Sequence, residues 1–151
     1  MVVAADGRFS RTRYHANIKY YYHDYKQTAF VFNISHSNKH HGVALERFFP
    51  TGPLAILPVN NSKINQSSIV WTVDSDVAKN KTFKENFREE FEKKYDNFFG
   101  KLISISEVKK YPLNVFSCYD IFKKNIILVG DACQAIHPIA GQGFNLGLRD
   151  A

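Results

Sequence analysis

Apolar and polar positions along the chain fall into three regimes. Val2 to Ala5 is a short apolar run that stops at Asp6-Gly7, a turn signal, and Ser10 to Ala16 is polar enough for one or two helical turns. From Lys19 to Val73 the pattern is β: Tyr20 to Tyr25 and Gln27 to Ser35 are rich in aromatic and β-branched residues, with partial alternation. Val43 to Phe49 follows, then the breakers Pro50-Thr51-Gly52-Pro53, then Leu54 to Val59. A second turn at Asn60-Asn61-Ser62-Lys63 precedes Ser67 to Val73, so these runs predict an antiparallel meander.

The period then changes. Phe83, Phe87, Phe91, Tyr95 and Phe98 recur at spacings of four and three, which predicts one long helix over Phe83 to Phe99 with a single apolar stripe. Thr82 and Glu85 read as a capping box, and Gly100 stands where the helix would stop. Core packing explains the stripe better than a cofactor box. Leu102 to Ile105 and Pro112 to Tyr119 are further strand candidates, and Asn125 to Asp131 has the continuous apolar pattern of a strand buried on both faces.

The 151 residues are 44% hydrophobic and 15% aromatic, enough for a globular core, with a formal net charge of +6. No block of like charge forms a basic tail. Cys118 and Cys133 have no metal-type or CxxC spacing, which fits a reducing cytosol. No apolar run approaches the roughly 18 residues that span a bilayer, and the start of the chain lacks signal-peptide character. His36, His40 and His41 cluster near Asn38 and Gly42, but zinc would need a fourth partner and a rigid spacing, so a solvated loop is expected and no metal site. The YYYHDYK stretch mixes rings and charge; a strand with one face on the core explains it better than single-stranded nucleic-acid binding.

The chemistry concentrates in GDACQAIHPIAGQGFNLGLRDA, Gly130 to Ala151. A buried strand ending at Gly130 turns tightly at the carboxyl edge of a sheet, where open α/β sheets bind ligands. Asp131 puts a carboxylate beside that strand end, suited to sugar-type hydroxyls. Pro138 fixes the loop, and Gly141-Gln142-Gly143 allows close backbone approach. Asn145 and the residues after it begin a helix whose positive end favours negative charge on a ligand. His137 reads equally as a residue lining the site and as a structural loop histidine.

Taken whole, this run resembles the second FAD-binding motif of the flavin-dependent aromatic hydroxylases: Gly-Asp-Ala-Ala, a spacer, Pro, then a Gly-rich run into Asn. It looks most similar to the ubiquinone-biosynthesis hydroxylases, the octaprenyl-phenol and octaprenyl-methoxyphenol branch. Gln134 stands where the family usually has His, a replacement the methoxyphenol branch tolerates. ADGRFSRTR, Ala5 to Arg13, is similar to the same family's Asp-Gly-x-x-Ser-x-x-Arg motif, and LERFFPTGPLAILP resembles its substrate sheet.

The resemblance implies an α/β (α+β) fold: part of the FAD-binding parallel sheet of p-hydroxybenzoate hydroxylase, an antiparallel β substrate layer and one long helix. Residues 1–16 and 119–151 would be pieces of the FAD domain and 17–118 the substrate-binding sheet with its helix. Asp6 and Gly7 would serve the FAD pyrophosphate and NAD(P)H. Gly130 and Asp131 would belong to the cofactor site, with Asp131 on the ribityl chain, and Pro138 would lie beside the isoalloxazine. The backbone of Gly141, Gln142, Gly143, Phe144 and Asn145 would face the flavin N1–C2=O edge. The implied reaction hydroxylates a polyprenyl phenol with FAD, NAD(P)H and molecular oxygen. No side chain is named as catalytic acid or base.

The implied location is cytoplasmic with peripheral contact on the inner membrane and with other ubiquinone-biosynthesis proteins; nucleic acid is not an expected partner. The family's GxGxxG unit has no counterpart in this sequence. The chain is therefore expected to be an internal segment, inactive alone. Two other readings stay open: another aromatic hydroxylase or epoxidase of the same fold, and a non-catalytic basic remnant that binds acidic polymers.

Overall fold

The computed structural model describes residues 1–60 and 65–151, so most of the turn expected at Asn60-Asn61-Ser62-Lys63 lies outside the described residues. In chain order the elements are β1 (Val2–Ala4), α1 (Arg11–His15), β2 (Tyr20–His36), β3 (Leu45–Phe49), β4 (Gly52–Val59) and β5 (Gln66–Asp74). Three short helices follow, α2 (Ser75–Lys79), α3 (Lys81–Glu85) and α4 (Phe87–Tyr95), then β6 (Leu102–Ile105), β7 (Lys109–Cys118), β8 (Phe122–Lys123) and β9 (Ile126–Leu128). The chain continues through a 3-10 turn (Gly130–Ala132), β10 (Gln134–Ala135), a second 3-10 turn (Pro138–Ala140) and α5 (Gly143–Asp150). Two compact units divide it: Met1–Tyr25 with Leu113–Ala151, and Lys26–Pro112. The α/β (α+β) class expected from the sequence is the one observed.

In the Lys26–Pro112 unit, β3, β4 and β5 form the expected antiparallel meander, and β2 pairs with the free side of β5 from Gln27↔Asp74 to Ser35↔Gln66. Alternation decides which face packs. Phe30, Phe32 and Ile34 of β2, Leu54 and Ile56 of β4, and Ile69, Trp71 and Val73 of β5 are all buried. The register sets Leu54 and Phe30 opposite Trp71, and Ile56 and Phe32 opposite Ile69, so these side chains share one face. The helices cover that face: Phe91 meets Phe32 at 4.9 Å and Phe87 meets Phe30 at 5.2 Å between ring centroids.

The single helix expected over Phe83 to Phe99 is instead two, and the cause is local. The Asn80 side chain, not Thr82, caps the start by accepting the Phe83 amide at 3.2 Å. Asn86 has φ −101° and ψ 19°, outside helical values, and breaks the run after Glu85. At the far end Asp96 and Asn97 adopt positive φ, so the helix closes at Tyr95 rather than at Gly100. The turn also breaks the period. Phe98 is exposed and Phe99 is buried in its place, its amide donating to the Tyr95 hydroxyl at 3.1 Å.

In the other unit, β1 and β9 are neighbouring parallel strands, paired Val2↔Ile126, Val3↔Ile127 and Ala4↔Leu128, with β8 antiparallel on the outer side of β9. Burial on both faces of β9 holds for Leu128 alone; Ile126 and Ile127 are half-buried, because a three-stranded sheet with a two-residue edge strand covers little. A small core of Ala4, Ile18, Cys118, Leu128, Ala132 and Cys133 sits here. Tyr20, Tyr21, Tyr22 and Tyr25 form a strand, but all four are exposed, so the expected core-facing side of this stretch is not observed. Among the described residues, no helix is long and apolar enough to cross a membrane.

Candidate functional site: two turns at the ends of parallel strands

Pairing of Ala4 with Leu128 brings the two motif turns to the same end of adjacent strands. The first turn leaves β1 through Asp6 and Gly7. Gly7 has φ +78°, a conformation costly for other residues, and its carbonyl accepts the Ser10 amide at 3.0 Å. Ser10 caps α1 by accepting the Arg13 amide at 2.9 Å. The Asp6 carboxylate accepts the amide and hydroxyl of Thr12 at 3.1 and 3.0 Å. The Ser10 hydroxyl first, joined by the Thr12 amide and hydroxyl, holds its pKa down to about 2 although burial opposes the shift. Asp6 is thus an exposed, firmly ionised carboxylate engaged with the first turn of α1.

The second turn leaves β9 at Val129, whose amide donates to the Ala4 carbonyl at 3.0 Å. Gly130, at φ +57°, opens the 3-10 turn that presents Asp131 to solvent. Beyond β10, the His137 ring Nδ1 accepts the Ile139 amide at 3.1 Å and so caps the turn at Pro138. This is the structural role of the two considered, and burial lowers the pKa of the ring. Gly141 follows at φ +60°, and Gly141 through Asn145 are all exposed. A Cβ at Gly141 or Gly143 would meet nothing within 4 Å, so open space lies against this backbone. The Leu146 amide donates to the Gln142 carbonyl at 3.0 Å; the amides of Gly143, Phe144 and Asn145 precede it and have no upstream helical carbonyl. The arc therefore offers bare backbone donors and the positive end of α5 to a ligand.

Two side chains join these parts. Arg13, buried, donates from Nη1 to the Ala132 carbonyl at 2.6 Å and from Nη2 to the Arg8 carbonyl at 2.7 Å, which links the turns after β1 and β9. Its guanidinium lies over the rings of Tyr20 and Phe116, 5.0 and 4.7 Å from their centroids. Asp150, at the end of α5, accepts the Gly130 amide at 3.0 Å and the Gln134 side-chain amide at 3.2 Å. Burial, then the Asp150 charge, pushes the Cys133 thiol up to about 12, so it is no nucleophile. Arg13 lies within the first motif and Asp150 within the second, yet sequence reasoning assigned neither a task; the motif spelling was the available signal.

Elsewhere the histidine cluster departs from expectation. His36 is buried at the end of β2, with Nδ1 donating to the Asn38 carbonyl at 2.7 Å and Nε2 accepting from the Ser67 hydroxyl at 2.9 Å. It is a core residue rather than part of a solvated loop, because β2 runs on to pair His36 with Leu102 of β6 while its ring reaches Ser67 of β5. Among the described residues, no three His, Cys, Asp or Glu side chains are grouped to hold a metal.

Comparison with known proteins agrees with this geometry. The chain is 39% identical over 152 residues to the ubiquinone hydroxylase UbiL of Rhodospirillum rubrum, covering 99% of this chain and 35% of that protein. It is 31% identical over 153 residues to 3-demethoxyubiquinol 3-hydroxylase of Escherichia coli, covering 99% and 38%. The chain thus spans little more than a third of the curated relatives it matches. In fold it is similar to p-nitrophenol 4-monooxygenase PnpA of Pseudomonas putida (TM-score 0.73, 16% identity, 95% of this chain and 36% of that one). The flavin-dependent halogenase CmlS is similar too (TM-score 0.75, 17% identity, 99% and 28%). The family profile described as FAD binding domain matches residues 1–151, and the chain belongs to that family.

Proposed function

We propose that residues 1–151 form a flavin-contacting part of an FAD-dependent monooxygenase that hydroxylates a polyprenyl phenol in ubiquinone biosynthesis. The observation that carries this reading is the parallel pairing of β1 with β9, which sets both motif turns at one end of neighbouring strands. The open arc at Gly141–Asn145 fits the flavin, because a planar ring with an anionic edge needs bare amides and no intervening side chains. The names of the two curated relatives support the substrate class.

In this reading Asp131 holds hydroxyls of the ribityl chain, and Pro138 stiffens the loop beside the ring system. The backbone of Gly141, Gln142, Gly143, Phe144 and Asn145, at the start of α5, stabilises negative charge on the N1–C2=O edge. Gly7 offers its turn to the pyrophosphate and to NAD(P)H, while Asp6 keeps that turn joined to α1. Bound FAD supplies the redox chemistry, taking electrons from NAD(P)H and activating molecular oxygen. Residues 1–16 and 119–151 then belong to the FAD side and 17–118 to the phenol side. A cytoplasmic protein with peripheral contact on the inner membrane suits an apolar substrate and a charge of +6.

The test is a chimera in which residues 1–151 replace the matching segment of the Escherichia coli relative. It should consume NAD(P)H and oxygen and release hydroxylated polyprenyl phenol. A flavin-loaded chimera that hydroxylates no such phenol would move the assignment to another hydroxylase or epoxidase of the same fold.

A further inference from the structure

α5 is fastened at the end opposite its proposed flavin contacts. Oδ2 of Asp150 accepts the Gly130 amide at 3.0 Å, the Cys133 thiol at 3.5 Å and the Gln134 side-chain amide at 3.3 Å. Oδ1 accepts the same Gln134 nitrogen at 3.2 Å. One carboxylate therefore gathers donors from three residues of the turn that follows β9. One helical turn earlier, Gly147 faces Gly130: a Cβ on Gly147 would stand 3.4 Å from the Gly130 Cα. Backbone thus lies close against backbone there, with the carboxylate bonds beside it.

We infer that Asp150 is a positioning residue, whose carboxylate fixes α5 against the Gly130–Gln134 turn and so sets where the Gly141–Asn145 arc stands relative to Asp131. The inference rests on reading that arc as the flavin cradle. The physical argument is that of a lever. At 1.5 Å per residue, Gly143 lies about 10 Å along the axis from Asp150. The loop from Ile136 to Gln142 joins the two ends through seven residues; Pro138 and the His137 cap order its middle, and the helix itself is held at its far end. Contacts at Gly147 and Asp150 fix it there, and a helix is stiff over that length. A charged acceptor suits this task, since hydrogen bonds to an ionised group are shorter and stronger than neutral ones.

The test uses the 151-residue chain without flavin and compares it with Asp150→Asn, Asp150→Ala and Gln134→Leu. Two readouts report on the clasp itself: hydrogen exchange at the Gly130 amide, and the Raman S–H stretch of Cys133, with Cys118 as internal control. Asp150→Ala should speed Gly130 exchange about tenfold, the loss expected when a charge-assisted bond is removed. It should also shift the Cys133 band toward that of an unbonded thiol and leave the Cys118 band in place. Asp150→Asn, nearly isosteric, keeps one neutral oxygen that still accepts, so it should give smaller changes of the same sign in both signals; a fourth variant, Asp150→Leu, has no acceptor and covers the case where alanine unfolds the unit. Gln134→Leu should leave both signals near wild type, because the Gly130 and Cys133 bonds remain. An unchanged Gly130 rate and Cys133 band in folded Asp150→Ala or Asp150→Leu would overturn the inference. As neither readout involves flavin, that failure is distinct from a chimera that fails to take up FAD.

Discussion

Arg13 donates from Nη1 to the carbonyl oxygen of Ala132 at 2.6 Å, a bond between residues 119 apart in sequence. With its second bond to the Arg8 carbonyl, this buried guanidinium joins the turn after β1 to the turn after β9. Removing it leaves two carbonyls without their donor. Arg13→Met should therefore destabilise the chain by about 2–4 kcal/mol, since the stranded buried Ala132 acceptor costs roughly 1–3 kcal/mol and the half-buried Arg8 carbonyl adds less. Arg13→Lys should recover only part of this, because an ammonium lacks the fork that reaches both oxygens. Urea titration followed by circular dichroism measures both. A loss below about 0.5 kcal/mol, the size of an ordinary surface substitution, would remove Arg13 from this role.

Asp6 gives a pH prediction with a definite sign. Its folded pKa of about 2 lies below the ordinary 3.8, because the Ser10 hydroxyl and the Thr12 groups favour the charged form. A depressed carboxyl stabilises the fold above its ordinary value, and that contribution is lost as pH falls through about 2. Asp6→Asn should flatten the dependence of stability on pH over that interval and leave the slope above it unchanged. Carbon-13 titration of the Asp6 carboxyl checks the cause, and an unshifted midpoint would exclude it.

His36 predicts a second pH effect, in the other unit. Burial, then the neighbouring His40, lowers its pKa below 6.5, although the Asn38 carbonyl opposes the shift. Both ring nitrogens are already bonded in the neutral form, to the Asn38 carbonyl and the Ser67 hydroxyl. Stability should be complete above the ordinary value and fall as pH drops toward the folded one, since the unfolded chain takes the proton more readily. Thermal melts between about pH 7 and 5 should show this decline in the wild type and less of it in His36→Gln. Parallel curves for the two proteins would contradict it.

The sequence shows its strands more plainly than its fastenings. Strands β1 and β9 were legible because each apolar run ends in a recognisable turn and motif, and partial alternation over Gln27 to Ser35 marked β2 as a strand. The helix after Thr82 was legible as a stripe, but its break at Asn86 and its close at Asp96 depend on single backbone conformations that apolar spacing does not report. His36 looked like a loop histidine because its burial comes from strands distant in sequence. The exposed tyrosines at Tyr20 to Tyr22 mislead in the opposite direction, since β composition alone does not say whether a strand face is covered. Arg13 and Asp150 carry their bonds to partners 119 and 20 residues away, so only the fold reveals what they join.

The central claim is that these two turns hold FAD, and the most direct measurement is the visible absorbance of the purified chimera carrying residues 1–151. A yellow, flavin-loaded protein is the expected result. Asp131→Ala in the same chimera should retain FAD at least about tenfold less tightly, as a charge-assisted hydrogen bond is worth roughly 1.5–3 kcal/mol. A folded, monodisperse chimera that stays colourless after saturation with FAD and gel filtration would contradict the account.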